Sequence, residues 1–575
     1  MAESERDGGL SASTKPDYRG EDGHDVVDGE TVMNRMDFAL EKVNERTLWI
    51  CTLFLLCSSP GTLNAWHILV SNFYAFVPPH WCQVPDLLEA EWTPDQIRAV
   101  SSPRGAEGSS CSMVGWNYTE LAGLGYEEAL KFVNSNPKPA EVPCTRFFYQ
   151  EKVPHSSTVS EWDLVCGNQM QKSNVQGAIA IGKFFGGFLF GLIADRYGRK
   201  ISFVLSCVTY MLFGPLTAIS PNFTFFILMR FLTGLAGSGV YETGFTILAE
   251  IVSKERRANL GCIYNLSYPI GYLALPIISL IFPEWRHLQL AISLPAILLL
   301  LHCWVLPESP KWLITQNRQE EAWRIIKRIR PSVPDLARGA EQESAPAKTH
   351  QPIFSRIIEG SHKLLMLFSS IEQCKRIAVA YFCWFTVALI YYVLALNAPN
   401  FNINQHLFTF VSGIIEIPGY CLPLLLFIWL GRKCTSTILY FACGLALVVI
   451  TTIPLSNKTI ILAAAMAGRF ADVAVFGVIT VYTAELFPTT VRNTAVGSSL
   501  AISQLGSISA PYIVDNLNKF GWYVPSTICG IGGLISAVLV LLLPETRGRP
   551  LLDTVEQLRR QKEDRVSIRK CCTFT

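Results

Sequence analysis

Apolar residues in this chain gather in runs of roughly twenty, the length a helix needs to cross the hydrocarbon of a bilayer. Twelve such runs can be marked, at 48–74, 174–194, 201–219, 223–250, 259–282, 286–306, 377–398, 405–430, 435–455, 459–484, 493–515 and 521–543. Several contain proline (Pro60, Pro269, Pro276, Pro418), which membrane helices tolerate because neighbouring helices satisfy the freed backbone groups. The connections are short and polar except for two long ones, 75–173 and 307–374. The stretch before the first run is rich in acids (Glu21, Asp22, Asp25, Asp28, Glu30) and lacks the apolar core of a secretory signal. It reads as a solvated tail. The pattern predicts an all-α membrane protein with twelve transmembrane helices.

Composition agrees: of 575 residues, 50% are hydrophobic and 16% charged, where a soluble chain carries roughly a quarter charged. A net charge of +2 with no basic stripe gives no footprint for a nucleic-acid partner. The charges do set a direction. Arg196, Arg199, Lys200, Lys254, Arg256, Arg257, Arg432, Lys433 and Arg492 all fall in alternate connections, on the same side as the basic 307–374 segment and the C-terminal tail. By the positive-inside rule both termini are expected in the cytoplasm of a plasma-membrane protein. Residues 75–173 then lie outside, where Cys82, Cys111, Cys144 and Cys166 can form two disulfides by any of three pairings. Asn117-Tyr118-Thr119 is a glycosylation sequon on that same face.

The two halves of the chain repeat one another. Gly198-Arg199-Lys200 returns as Gly431-Arg432-Lys433 (431 − 198 = 233), Ala249-Glu250 as Ala484-Glu485 (485 − 250 = 235), and Pro307-Glu308 as Pro544-Glu545 (545 − 308 = 237). Three short matches in order, at nearly one offset, imply two pseudo-symmetric six-helix halves with the solute path between them. The expected segments are a tail over 1–46, one half over 47–306, a central loop over 307–374, a second half over 375–543 and a tail over 544–575.

Ionisable residues deep in a span are costly and point to function. Lys183, Glu242, Glu416 and Asp472 are such residues, and Lys183 stands about three turns from Asp195, too deep to snorkel. Arg230, nearer an outer end, reads as structural. Trp384 and Tyr391 are seven residues apart on one helix face. Glu416 and Tyr420, like Asp472 and Phe476, are one turn apart, and Tyr241 adjoins Glu242. Aromatic faces backed by a carboxylate bind ammonium groups, although rings at such spacing also serve ordinary packing, and Lys183 with one of the acids could simply fasten two helices.

Gly191-Leu-Ile-Ala-Asp195-Arg196-Tyr-Gly198-Arg199-Lys200 resembles the signature of the major facilitator superfamily. Further stretches resemble its organic cation, organic anion and carnitine transporter family, solute carrier family 22: Ser156-Ser-Thr-Val-Ser-Glu161-Trp162-Asp163-Leu-Val-Cys166, Pro307-Glu308-Ser309-Pro310-Lys311-Trp312-Leu313 and Pro544-Glu545-Thr546-Arg547-Gly548. The likeness spans about residues 36–560. It implies the major facilitator fold, alternating access and a substrate cavity at positions matching Tyr241, Trp384, Tyr391 and Glu416. It also implies an interdomain latch of cytoplasmic ion pairs among Asp195, Arg199, Glu250, Glu485 and Arg492. Two positions depart from the family pattern. Gln504 stands where cation carriers have an acid and anion or carnitine carriers an arginine, and Ser238 where cation carriers have a lysine.

Gly177-Ala-Ile-Ala-Ile-Gly182-Lys183 nearly spells a phosphate-binding loop, but Phe184 replaces the hydroxyl that holds magnesium and the stretch lies inside a span. No ATP-binding domain, metal-ligand set or nucleophile elbow appears, so neither an enzyme nor a cofactor is expected. The reading is a carrier of small organic cations in the bilayer, with Lys183, Tyr241, Glu242, Trp384, Tyr391, Glu416, Asp472, Phe476 and Gln504 about the solute. A zwitterion carrier, with Lys183 taking a carboxylate, is the first rival. A non-transporting surface receptor of the same fold is the second. The sequence fixes no oligomeric state.

Overall fold

The computed structural model describes residues 29–103, 110–150, 156–253, 256, 260–261, 263–331 and 353–547. The acidic stretch before residue 29, the tail beyond 547, and Lys254 and Arg257 lie outside the described residues. A helix stands at each of the twelve runs: α1 (Thr47–Tyr74), α2 (Cys166–Tyr197), α3 (Arg199–Ala218), α4 (Phe223–Ile251), α5 (Ser267–Ile281), α6 (Trp285–Val305), α7 (Ile371–Leu396), α8 (Gln405–Trp429), α9 (Arg432–Val449), α10 (Lys458–Leu486), α11 (Thr489–Leu517) and α12 (Val524–Leu541). Ten of them are both long and apolar enough to cross a membrane. The described part of α5 is shorter, at 15 residues. α11 has 29 residues, but Ser498, Ser499, Ser503, Gln504 and Ser507 make it too polar to qualify by apolarity alone.

Small residues let the helices of each half approach at backbone distance, the usual device where hydrophobic driving force between helices is absent. A Cβ on Gly182 would sit 2.0 Å from the Phe231 carbonyl oxygen of α4, and one on Gly186 2.2 Å from that of Leu235. The glycines of the false phosphate loop are therefore packing surfaces. In the second half, Gly444 of α9 meets the Gly530 carbonyl of α12 in the same way, at 2.8 Å.

The repeated motifs build the same joint twice. Gly198 and Gly431 begin α3 and α9 at φ +113° and +79°, in the region that favours glycine. Glu308 accepts hydrogen bonds from the backbone N–H of Arg199 (2.9 Å) and Lys200 (3.2 Å), and Glu545 does so from Arg432 (3.0 Å) and Lys433 (3.1 Å). Each carboxylate thus caps the positive end of a helix from the segment following the sixth helix of its half. Burial pushes the Glu308 carboxyl up from its ordinary value, against the N–H groups of Ser309, Lys200 and Arg199. Burial also pushes on Glu545, but the N–H groups of Arg547, Arg432, Thr546 and Lys433 outweigh it and hold that carboxyl down.

The solvated tail expected before residue 46 is corrected in part. Gly29–Asn44 is a helix, and Met36, Ala39, Leu40 and Val43, at i, i+3, i+4 and i+7, are buried in the core of the first half. Its polar face ties into the central loop, whose described part forms helices Pro310–Thr315, Gln319–Ile329 and Ile353–Met366. Asp37 pairs with Lys311 and Glu45 with Arg330, both at 2.7 Å. Burying Met36, Leu40 and Val43 stabilises this cover by about 1.5–3 kcal/mol per side chain at most.

Between α1 and α2 the chain folds into a small domain with its own core of Val84, Leu87, Trp92, Ile97, Tyr118 and Leu121. Two antiparallel ribbons pair β1 (His80–Cys82) with β4 (Phe147–Tyr149) and β2 (Ser112–Val114) with β3 (Glu141–Pro143). The disulfides are Cys82–Cys144 and Cys111–Cys166, with Cα separations of 5.2 and 5.5 Å. The second ties the domain to the start of α2.

Candidate functional site in the seam between the halves

The halves meet most closely on the side carrying this domain. Lys172 of α2 donates to Asp515 of α11 at 2.9 Å, and Ser173 donates to the other oxygen of the same carboxylate at 2.8 Å. Tyr512 Oη donates to Asn174 Oδ1 at 2.8 Å and lies where a Cβ on Gly177 would fall. Asn72 of α1 donates to the Ala395 carbonyl of α7 at 3.0 Å, and Gly413 of α8 packs on Tyr272 and Leu273 of α5. These contacts close the seam on the domain side.

The expected latch on the opposite side is not made across the halves in this conformation. Arg199 spans Asp195 (2.9 Å) and Glu250 (2.9 Å), all in the first half. Glu485 pairs with Arg432 (3.1 Å) rather than Arg492 and accepts from Thr546, all in the second half. Nε and Nη2 of Arg492 have no hydrogen-bond partner among the described residues.

Deeper in, the predicted residues divide into two groups. Lys183 is half-buried, and its Nζ donates to Tyr392 Oη of α7 across the seam at 3.4 Å. Glu242 is exposed, accepts from Ser238 Oγ at 2.7 Å, and rests against Gly187, one turn along α2 from Lys183. The hydrogen-bond partner of Lys183 is Tyr392, and no carboxylate lies within ion-pair distance of it among the described residues. Tyr241 Oη donates to Asn265 at 2.8 Å, with its ring 5.0 Å from that of Tyr264. Gln504 is half-buried and accepts from Ser507.

The second group is shut away. Trp384 is fully buried, its Nε1 donating to Thr483 Oγ1 at 3.0 Å and its ring 5.5 Å from that of the half-buried Phe476. Asp472 is 1% exposed. It lies one turn from Gly468, which faces Leu447 of α9, and its Oδ1 is buried without a hydrogen-bond partner among the described residues. It points into its own half, away from the seam. Glu416 is taken by Arg469 of α10, whose Nε lies 3.0 Å from Glu416 Oε1, with both side chains wholly buried. The guanidinium carbon is 4.5 Å from the centre of the Tyr391 ring and 4.7 Å from that of Tyr272.

Arg469, Tyr272, Lys172 and Asp515 are absent from the sequence-based reading. The rule that marks Asp472 applies equally to Arg469, three residues earlier in the same run. Lys172 and Asp515 sit at span ends, where charge carries no signal. The buried Arg230 is structural as expected: Nη1 donates to the His67 carbonyl at 2.6 Å and Nε to that of Val175 at 3.4 Å.

Residues 113–557 match the family model described as sugar (and other) transporter. Among curated proteins, solute carrier family 22 member 3 of Rattus norvegicus is 30% identical over 543 residues, covering 92% of this chain and 96% of the relative. The organic cation transporter protein of Drosophila melanogaster is 29% identical over 518 residues, covering 88% and 90%. Among solved structures, the inward open conformation of the xylose transporter XylE from E. coli aligns with a TM-score of 0.57 at 18% identity, over 87% of this chain and 98% of that one. That likeness concerns the fold alone.

Proposed function

Given that the chain belongs to the sugar (and other) transporter family, and within it to solute carrier family 22, we propose that it carries small zwitterionic organic solutes across the plasma membrane by alternating access. The observation behind this reading is the pair of charges left at the seam, Lys183 and Glu242. Of the three acids on which a cation carrier would depend, Glu416 is taken by Arg469 and Asp472 is buried within its own half. A solute ammonium would rest on Glu242 beside the Tyr241 ring, and a solute carboxylate on Lys183, with Gln504 as a neutral hydrogen-bonding wall. A monovalent organic cation is the second reading, favoured by Glu242 with its adjacent ring and by the name of the fly relative.

In this scheme the domain over residues 80–165 is extracellular, with Asn117 exposed and open to glycosylation, and the termini are cytoplasmic. The contacts at Lys172, Asn174, Asp515 and Tyr512 shut the outer gate. The latch of Asp195, Arg199, Glu250, Glu485 and Arg492 re-forms between halves when the protein faces out.

Uptake into proteoliposomes tests the reading. Exchange of a zwitterion such as a betaine, which carries no net charge, should not be driven by membrane potential. A monovalent cation should be favoured about 50-fold by an inside-negative 100 mV, the equivalent of about 2.3 kcal/mol. Potential-driven uptake of tetraalkylammonium without betaine transport would replace the first reading by the second. Surface binding without uptake of either would leave a receptor.

A further inference from the structure

The place where an ammonium would sit between Glu416, Tyr391 and Tyr272 already holds a cation. Arg469 lies over two rings that stand at 84° to each other, at 4.5 and 4.7 Å from their centres, with a carboxylate at 3.0 Å, a grouping of the kind that proteins use to bind guanidinium and quaternary ammonium ligands. The cage draws on both halves of the molecule: Tyr272 comes from α5, and Tyr391, Glu416 and Arg469 come from α7, α8 and α10. A purely structural buried pair requires every polar atom to be satisfied. Here Arg469 Nη1, Glu416 Oε2 and the hydroxyls of Tyr272 and Tyr391 are buried without a hydrogen-bond partner of normal geometry.

The geometry points to a cation site in the seam that is filled by the chain's own Arg469, a tethered occupant that keeps free monovalent cations out and so sets specificity. The occupant competes at a local concentration no dissolved cation can match. A solute arriving between the halves therefore meets the charges of Lys183 and Glu242 rather than the cage. The consequence for solute choice rests on the transporter reading, whereas the occupancy itself does not.

Methylguanidinium, a free copy of the arginine head, is the probe. The full-length Arg469→Ala protein, purified in detergent, should show a melting temperature that rises saturably with millimolar methylguanidinium, while the wild type shows no saturable rise. Adding Glu416→Gln to that variant should raise the half-saturating concentration about tenfold or more, since one partner of a desolvated charge pair is then missing. Where Arg469→Ala does not fold alone, it should be recovered when methylguanidinium is present throughout purification. Arg469→Gln, whose amide can still donate to Glu416, carries the same titration. An equal response in the wild type, or no response from either variant, including failure of both to fold with the probe present, overturns the site. A saturable response without any uptake in proteoliposomes would keep the site and discard the transport reading.

Discussion

Each half of this molecule buries one arginine in its fourth helix, and the two are used in opposite ways. Arg230 stands 20 residues before the glutamate that ends α4 and Arg469 stands 16 before the one that ends α10, a difference of four residues, or about one helical turn. Arg230 spends its hydrogen bonds on main-chain carbonyls of its own half and has a ring contact with Tyr74 at 5.7 Å. Arg469, one turn nearer the opposite end, reaches a carboxylate and the rings of both halves. A repeat can thus keep a residue type and change its job by a single turn of register. The first is a brace within a half, and the second stands where the halves meet.

The largest expected effect separates the two arginines. Arg469→Met leaves the Glu416 carboxylate buried without its partner and should cost about 3–5 kcal/mol. Arg230→Met leaves only carbonyl acceptors unsatisfied, for about 1–3 kcal/mol. Melting of the purified variants orders them, and Glu416→Gln with Arg469→Met together should recover most of the loss. A larger loss for Arg230→Met would reverse the assignment of brace and cage.

Next comes the closed end of the seam. Asp515→Asn removes the charge from two hydrogen bonds and should cost the closed state about 1.5–3 kcal/mol. A cysteine replacing Gln504 should then react faster with a thiol reagent added from the domain side, and Lys172→Asp with Asp515→Lys should slow it again. Unchanged reactivity in Asp515→Asn would show that the contact does not hold the seam.

The repeated joints on the other side should give smaller and matched effects. Arg199→Ala and Arg432→Ala each lose partly exposed ion pairs and should cost about 1 kcal/mol. Asp195→Ala, whose side chain is 63% exposed, should cost almost nothing in stability. If Asp195→Ala nonetheless slows transport severalfold at normal surface expression, the interdomain latch of the other conformation is supported. The smallest effect is expected at Asn117→Gln, which should remove a glycan, seen as a gel shift, and leave melting unchanged because Asn117 makes no capping bond.

How far the sequence reached follows from what each signal measures. Run length located twelve helices because crossing hydrocarbon constrains length directly, and the Gly-Arg-Lys and Pro-Glu repeats located the two capped joints. The helix over Gly29–Asn44 was also legible, in the spacing of Met36, Ala39, Leu40 and Val43, but the acids before it set the reading of the whole tail. For the seam, depth in a span marks a charge as costly without saying which way it faces. Asp472 and Glu242 look alike in sequence. Only the rotation of α10, which puts Gly468 and Asp472 against α9, separates them. Partnerships such as Glu416 with Arg469 depend on two helices meeting, which spacing within one helix does not encode.

The bond between Cys111 and Cys166 has a mechanical consequence. It fastens the small folded domain to α2 six residues before Lys172, so the domain and the start of that helix must travel together. The domain is then a lever with its short arm at the seam. A binding protein that grips it, or a reductant that cuts the tether, would act on the stroke of the halves without entering the path of the solute.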